Sequence, residues 1–281
     1  MEIGTSTYYY KPKNSRKDKE KEDANLCGKI EHLQSEYSCW GYRTIKPQLL
    51  YQYELKVNKK KILRIMKKFG LFRKIKKHFA HTTDSNHPFH IYPNLLKGKI
   101  ITDINQVWVS DITYIRIPTG FVFLAMILDL FSRRVVGWAI SKSLNHELTA
   151  SALRIAIETR KPKPGLIHHS DRGVQYACKE YIKILENNNI QISMAGKGNP
   201  YENAFAESFF KTLKNEEVYL WEYETFNDVI ERIPRFIEKI YNIKRVHSGI
   251  FYLPPKEFET ILQDEDRRKS IGQVTLNLQL Y

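Results

Sequence analysis

The sequence predicts an α/β fold, a mixed five-stranded sheet flanked by helices, preceded by a small all-α, helix-turn-helix-like domain. Three observations carry this expectation. From residue 106 on, strand-like apolar runs come first and then alternate with helically spaced runs. Residues 25–77 show helical spacing only. The charge is also lopsided: residues 1–100 hold 22 Lys/Arg against 9 Asp/Glu, a net of +13, whereas residues 101–281 hold 23 against 22, a net of +1. A basic region joined to a near-neutral one points to a polyanion-binding element beside a separate domain. Nucleic acid is the commonest polyanion, and the bland alternative is a solvated basic face.

In the basic part, residues 11–24 are a charged segment, flexible or helical, and "NLCGKIEHLQSE" places Leu26, Ile30 and Leu33 at helical spacing. A short helix is expected at 44–53 and a turn at 54–57. A second helix follows, capped by Asn58, with Ile62, Ile65, Met66 and Phe69 as its apolar stripe and Gly70 as its stop. Residues 56–77 carry 11 Lys/Arg and no acid. Two helices joined by a tight turn, the second strongly basic, read as a helix-turn-helix, with Lys59, Lys60, Lys61, Arg64 and Lys67 as candidate DNA contacts. Residues 78–105 read as a linker. His78, His81, His87 and His90 invite a zinc reading, but no cysteine accompanies them and Thr, Asn and Pro interrupt the stretch, so a polar linker is favoured. The three cysteines include no CxxC pair, the charged N-terminus is no signal peptide, and no apolar run is long enough to span a bilayer. The expected setting is the cytoplasm.

The rest of the chain supplies the sheet. "VWVSDITYIRI" (107–117) alternates, with Val107, Val109, Asp111, Thr113 and Ile115 on one face. Thr119-Gly120 makes a hairpin turn into the apolar run 121–130, and 133–141 is a third strand. A helix at 146–160, a short strand at 166–170, a helix at 179–189 and a fifth strand at 190–195 follow, then a helix to about 220 and another at 225–242 kinked at Pro234. Three hairpin-linked strands followed by helix–strand alternation suit the ribonuclease-H-like architecture.

Carboxylates sit in odd places on this framework. Asp111 lies mid-strand on an apolar face, where an acid is depleted and costly unless partnered. Asp171 lies where a short buried strand ends, and Glu207 lies on a helix. Phosphodiester chemistry with two divalent ions needs two or three carboxylates converging at one sheet edge. A satisfied buried Asp is the alternative for each of them. At about 100° per residue, Phe205, Ala206, Phe209, Phe210 and Leu213 form the core stripe of this helix, which runs to about residue 220, while Glu207, Lys211 and Lys214 share another face. A metal ligand with phosphate contacts beside it, or a plain i,i+4 ion pair, fits that face. Glu202 suits a capping box with Asn199 as N-cap and Pro200 at the first helical position. Asp129 is read as structural, paired with Arg133 or Arg134, and Asp103 as a cap before the first strand. His168 and His169 flank Asp171, as strand-end packing or as contacts to Asp171 or DNA, with His169 the candidate supporting residue. Arg172 is a candidate phosphate contact.

These strings resemble a known family. Asp111, Asp171 and Glu207, with 35 residues between the last two, are similar to the catalytic core of retroviral integrases and DDE transposases. "WVSDITYI", "LDLFSRRVVGWA", "HHSDRGVQY", "GNPYENAFAESFFKTLKNE" and "YNIKRVHSGIFYLPPKEFE" resemble a bacterial insertion-sequence transposase, the second-frame product of the group made from two overlapping reading frames. The resemblance implies that Asp111, Asp171 and Glu207 bind Mg²⁺ or Mn²⁺, as two ions, and that Lys214 fills a basic position of the extended motif. It also implies cleavage at an element end and transfer of the freed 3′-hydroxyl to target DNA, with no covalent protein–DNA intermediate. The implied partners are element-end inverted repeats, target DNA, further copies of the chain and the first-frame polypeptide, and the implied place is the bacterial nucleoid. The corresponding division is a charged segment (1–24), a DNA-binding region (25–77), a linker (78–105), an integrase-like catalytic core (106–220) and a C-terminal helical extension and tail (221–281). Glu202 stands where Asp is more usual, and the zinc module of retroviral integrases is not visible. A nuclease of the same architecture, or a DNA-binding protein without catalysis, are the competing readings.

Overall fold

A computed structural model describes residues 16–37, 40–72, 89–196, 204–264 and 278–279. The chain divides into two compact units, residues 1–74 and 75–281. The first is all-helical: α1 (Arg16–Glu36), α2 (Tyr42–Tyr53) and α3 (Lys59–Lys68). The charged residues from Arg16 onward are thus helical and continuous with the amphipathic stretch. Its core is Leu26, Ile30, Leu33, Trp40, Ile45, Leu49, Ile62, Ile65 and Met66. Asn58 caps α3 by accepting the Lys60 N–H at 2.8 Å. Gly70 (φ +67°) ends it, with the Leu71 N–H reaching back to the Met66 carbonyl. Phe69, expected in the buried stripe, is 43% exposed, because the helix stops at Lys68 and Phe69 is its C-cap.

The second unit is built on one five-stranded sheet: β2 (Val107–Ile117), β3 (Gly120–Asp129), β4 (Val135–Ser141), β5 (Ile167–Ser170) and β6 (Gln191–Met194). Before it comes the two-residue β1 (Ile100–Ile101), which pairs with β7 (Leu278–Gln279). The spatial order is β4-β3-β2-β5-β6, with β2–β3 and β3–β4 antiparallel and β2–β5 and β5–β6 parallel. This is the ribonuclease-H-like order, and β2 sits where antiparallel pairing changes to parallel. The alternation in β2 divides two cores. Val107, Val109 and Ile115 pack with α7 (Ala204–Glu216), α8 (Phe226–Arg235) and α9 (Pro255–Gln263). Trp108 packs on the other face with α4 (His146–Arg160) and α6 (Lys179–Asn187). Gly137 in β4 lets α4 come close: a Cβ there would run into the Ala152 carbonyl oxygen and the Ala156 Cβ. Leu96 and Ile101, in the segment expected to be a linker, belong to the first core.

The kink expected at Pro234 takes another form. The helix carries on past Arg235 as a π-helical stretch, Phe236–Tyr241. Proline has no N–H for the carbonyl one turn back, and the change of register absorbs the mismatch. A clasp then ties the C-terminal region to the sheet unit. The Glu259 carboxylate accepts from Ser132 Oγ at 2.7 Å, Arg134 Nη1 at 2.6 Å and both Arg160 Nη atoms at 2.7 and 2.8 Å. Among the described residues no helix is long and apolar enough to cross a membrane.

Candidate active site

Asp111 and Asp171 are brought together by strand pairing. Val109 lies opposite His169 in the parallel β2–β5 pair, and two residues further on stand Asp111 and, just past the end of β5, Asp171. The acids therefore meet at the carboxyl end of β5, where an open α/β sheet presents its crevice. Asp171 Oδ1 accepts the Gly173 N–H at 2.9 Å, which shapes the turn into the short α5 (Val174–Ala177). Asp111 Oδ1 accepts the Ile112 N–H at 2.8 Å. Both aspartates line one cavity of about 120 Å³ with Tyr114, Phe123, Val174 and Gln175.

Glu207 lies in the first turn of α7, which packs against β2 through Ala206, Phe209, Phe210 and Leu213. That stripe matches the helical spacing, and Phe205 is partly buried at its margin. Glu207 and Lys211 are exposed, and Lys214 is half-buried. The Lys214 ammonium lies 4.9 Å from the centre of the Tyr114 ring.

Electrostatics couples these groups. Burial pushes the Asp111 carboxyl up to about 8; the negative charges of Asp171 and Glu207 add to that, while the Ile112 N–H and Lys214 oppose it. Burial lowers the Lys214 pKa, and Asp111 holds it up. Among the described residues no three His, Cys, Asp or Glu side chains close to metal-binding distance. What shares the cavity is a pair of aspartates, with the charge of Glu207 acting on Asp111 from α7. Such a set suits a hard divalent cation, which removes the repulsion.

The other candidates fall out differently. His169 is fully buried, its Nδ1 2.8 Å from Ser193 Oγ, and that oxygen also accepts the Leu95 N–H at 2.9 Å. His168 faces the opposite core, Nε2 2.9 Å from Tyr181 Oη, and burial lowers its pKa to about 3. Arg172 Nε donates to the Ala195 carbonyl at 2.8 Å, tying the loop after β5 to the end of β6. Asp129 does not pair with Arg133 or Arg134 as expected. Its carboxylate accepts the N–H groups of Asn105 at 2.6 Å, Phe131 at 3.0 Å and Ser132 at 2.9 Å, and Arg134 goes to Glu259. Asp103 accepts the Ile104 N–H at 2.8 Å.

On α3, Lys59, Lys60 and Lys67 are exposed. Two of the expected DNA contacts also form ion pairs with α1: Arg64 binds Asp23 through two bonds at 2.7 and 2.8 Å, and Lys61 binds Glu22 at 3.1 Å. Asn199, Pro200 and Glu202, like His78, His81 and His87, lie outside the described residues. The sequence reading missed Tyr114. Its signal was available, since it is an aromatic three residues beyond Asp111 on the strand that Lys214 overlies.

The sheet order and the acid-lined crevice define a polynucleotidyl-transferase architecture. Two "Integrase core domain" models match residues 102–200 and 188–255, and an "HTH-like domain" model matches residues 21–79. The chain is 37% identical over 213 residues to the transposase for insertion sequence element IS904 of Lactococcus lactis, covering 75% of this chain and 84% of the relative. It is 35% identical over 259 residues to an uncharacterized 31 kDa protein of insertion element IS600 of Shigella sonnei, covering 91% and 94%. In structure it is similar to a chain of the simian T-cell lymphotropic virus intasome, at 18% identity and a TM-score of 0.46, covering 76% and 74%. The chain belongs to the bacterial insertion-sequence transposases, enzymes that cleave and transfer DNA strands.

Proposed function

We propose that Asp111, Asp171 and Glu207 form the catalytic centre and together hold two divalent ions, Mg²⁺ or Mn²⁺. The observation that carries the proposal is the convergence of Asp111 and Asp171 on one cavity, where burial and the two acidic neighbours push the Asp111 carboxyl up. Held by these three carboxylates, two such ions would supply charge stabilisation to the attacking and leaving oxygens of a phosphodiester. The chain's own groups do the rest. Lys214 neutralises charge beside Asp111, and Lys211, exposed one turn beyond Glu207, meets a DNA phosphate. His169, through Ser193, holds the end of β5 and so the place of Asp171. Arg172 steadies the same loop through Ala195 and is the candidate phosphate contact at this edge.

In the first unit, residues 25–77 bind DNA through the exposed Lys59, Lys60 and Lys67, with Lys61 and Arg64 set by their ion pairs to α1. Residues 106–220 carry the chemistry and 221–281 brace it. The substrates are the inverted repeats at the element's ends and a target duplex in the bacterial nucleoid. Joining two ends requires more than one protomer, and the first-frame polypeptide acts as a partner or as a fused N-terminal portion. The test is joining of a duplex carrying the element's terminal repeat to a plasmid in Mg²⁺ or Mn²⁺. Joined product that is lost in Glu207→Gln supports the proposal. Cleavage of RNA–DNA hybrids without joining would move the chain to the nucleases.

A further inference from the structure

Arg133 is an outlier in three ways. It has left-handed backbone (φ +64°) without being glycine. Its guanidinium is largely buried, enough to lower its pKa to about 10. Its Nη1 has no hydrogen-bond partner among the described residues. Strain and an under-satisfied buried cation are both costly, and such outliers collect where function over-determines the backbone. The Arg133 Cζ lies 3.8 Å from the centre of the Phe205 ring, close enough for a cation–π stack. Gly249 is also near: a Cβ there would sit 3.8 Å from Arg133 Nη2. The side chain thus fills the space between the β3–β4 turn, the first turn of α7 and the 3-10 turn Ser248–Ile250.

We infer that Arg133 is a positioning residue for Glu207, acting through its stack on Phe205. This rests on the reading of Glu207 as a metal ligand. Phe205 and Glu207 are two residues apart on α7, hence ~200° apart around the helix axis. A ring pinned on one side of the first turn fixes the direction in which Glu207 leaves the other side. Phe209, Phe210 and Leu213 hold the later turns against the sheet. At the start of the helix Ala206 is the fully buried side chain, a small one with little leverage on rotation. The Arg133 stack supplies that leverage from a turn which β3 and β4 hold in place.

The full-length chain is the material for the test, as Arg133→Lys, Arg133→Gly, Phe205→Leu, Phe205→Tyr, the Arg133→Lys/Phe205→Leu double variant and Glu207→Gln. Mn²⁺ binding is read by electron paramagnetic resonance, folding by circular dichroism, and joining rate at saturating terminal-repeat DNA. Arg133→Lys and Phe205→Leu should each weaken Mn²⁺ binding and slow joining on the order of 10-fold, with DNA affinity unchanged. The double variant should be no worse than the worse single one. Arg133→Gly adopts the left-handed backbone without strain, so a loss there belongs to the side chain. Phe205→Tyr keeps the ring and should lose less Mn²⁺ binding and joining than Phe205→Leu, and this pair keeps the inference testable where an Arg133 variant fails to fold. Wild-type Mn²⁺ binding and joining in Phe205→Leu, or losses that multiply in the double variant, would overturn the inference. Wild-type Mn²⁺ binding in Glu207→Gln would overturn the metal reading instead.

Discussion

Two aspartates on neighbouring strands, Asp111 in β2 and Asp129 at the end of β3, are enclosed by the same sheet and treated in opposite ways. Asp129 is fully buried, yet three backbone N–H groups and the Ser132 hydroxyl point at its carboxylate. Burial leaves its pKa raised, with the Ser132 and Asn105 N–H groups and Arg160 opposing the rise and Glu259 adding to it. Asp111 accepts the adjacent Ile112 N–H and faces Asp171 and Glu207, so burial and like charge act together. A carboxylate surrounded by donors stabilises a fold. One surrounded by carboxylates costs stability, and the cost is recovered when a cation arrives.

The largest effect expected from this contrast is on catalysis. Asp111→Asn or Asp171→Asn should reduce joining on the order of 10³-fold, about 4 kcal/mol of transition-state stabilisation, with circular dichroism and DNA binding unchanged. Asp129→Ala should do the reverse. It orphans three buried N–H groups and should cost about 3–5 kcal/mol in thermal or urea unfolding, with joining per folded molecule preserved. A stable Asp129→Ala protein would break the comparison.

The next effect is on pH dependence. Folded protein keeps the Asp111 proton up to about pH 8, whereas an unfolded Asp releases it near pH ~4. The folded state thus binds the extra proton between those values, and metal-free stability falls as pH rises through that window and levels off above it. Each unit of displacement is worth at most about 1.4 kcal/mol, and less here because the side chain is partly open to the crevice. Asp111→Asn should flatten the slope and raise Tm at pH 8 more than at pH 5. Mg²⁺ should raise the Tm of wild type and not of the variant. An unchanged pH slope in Asp111→Asn would contradict the protonated-carboxyl picture.

The smallest effects separate exposed from paired cations on α3. Lys67→Ala should weaken DNA binding severalfold and reduce the salt slope by about 1. Arg64→Ala should mainly cost stability, by about 1–3 kcal/mol, because it strips both bonds from the buried Asp23 carboxylate, with a smaller change in salt slope. Equal salt slopes for the two variants would erase the distinction.

How much of this was legible in the sequence follows from the range of each interaction. Asp111 was visible because an acid interrupts an alternating apolar strand, and the face shared by Glu207, Lys211 and Lys214 follows from helical spacing alone. The succession of strands and helices was readable because periodicity switches between two and 3.6 residues. Partner choice was not. Asp129 takes the N–H of Asn105, 24 residues back, and leaves Arg134 to Glu259, 125 residues ahead. Arg64 finds Asp23 41 residues away. Such pairings are settled by packing, which no local pattern encodes. The Arg133 stack on Phe205 and the π-helical stretch after Pro234 were hidden for the same reason.

The most direct measurement is strand joining per folded molecule for Asp111→Asn beside Asp129→Asn, in Mg²⁺ with terminal-repeat DNA. The expected result is a folded, DNA-binding but inactive Asp111→Asn protein, and an Asp129→Asn protein that is less stable yet active where folded. Wild-type joining by Asp111→Asn would contradict the account.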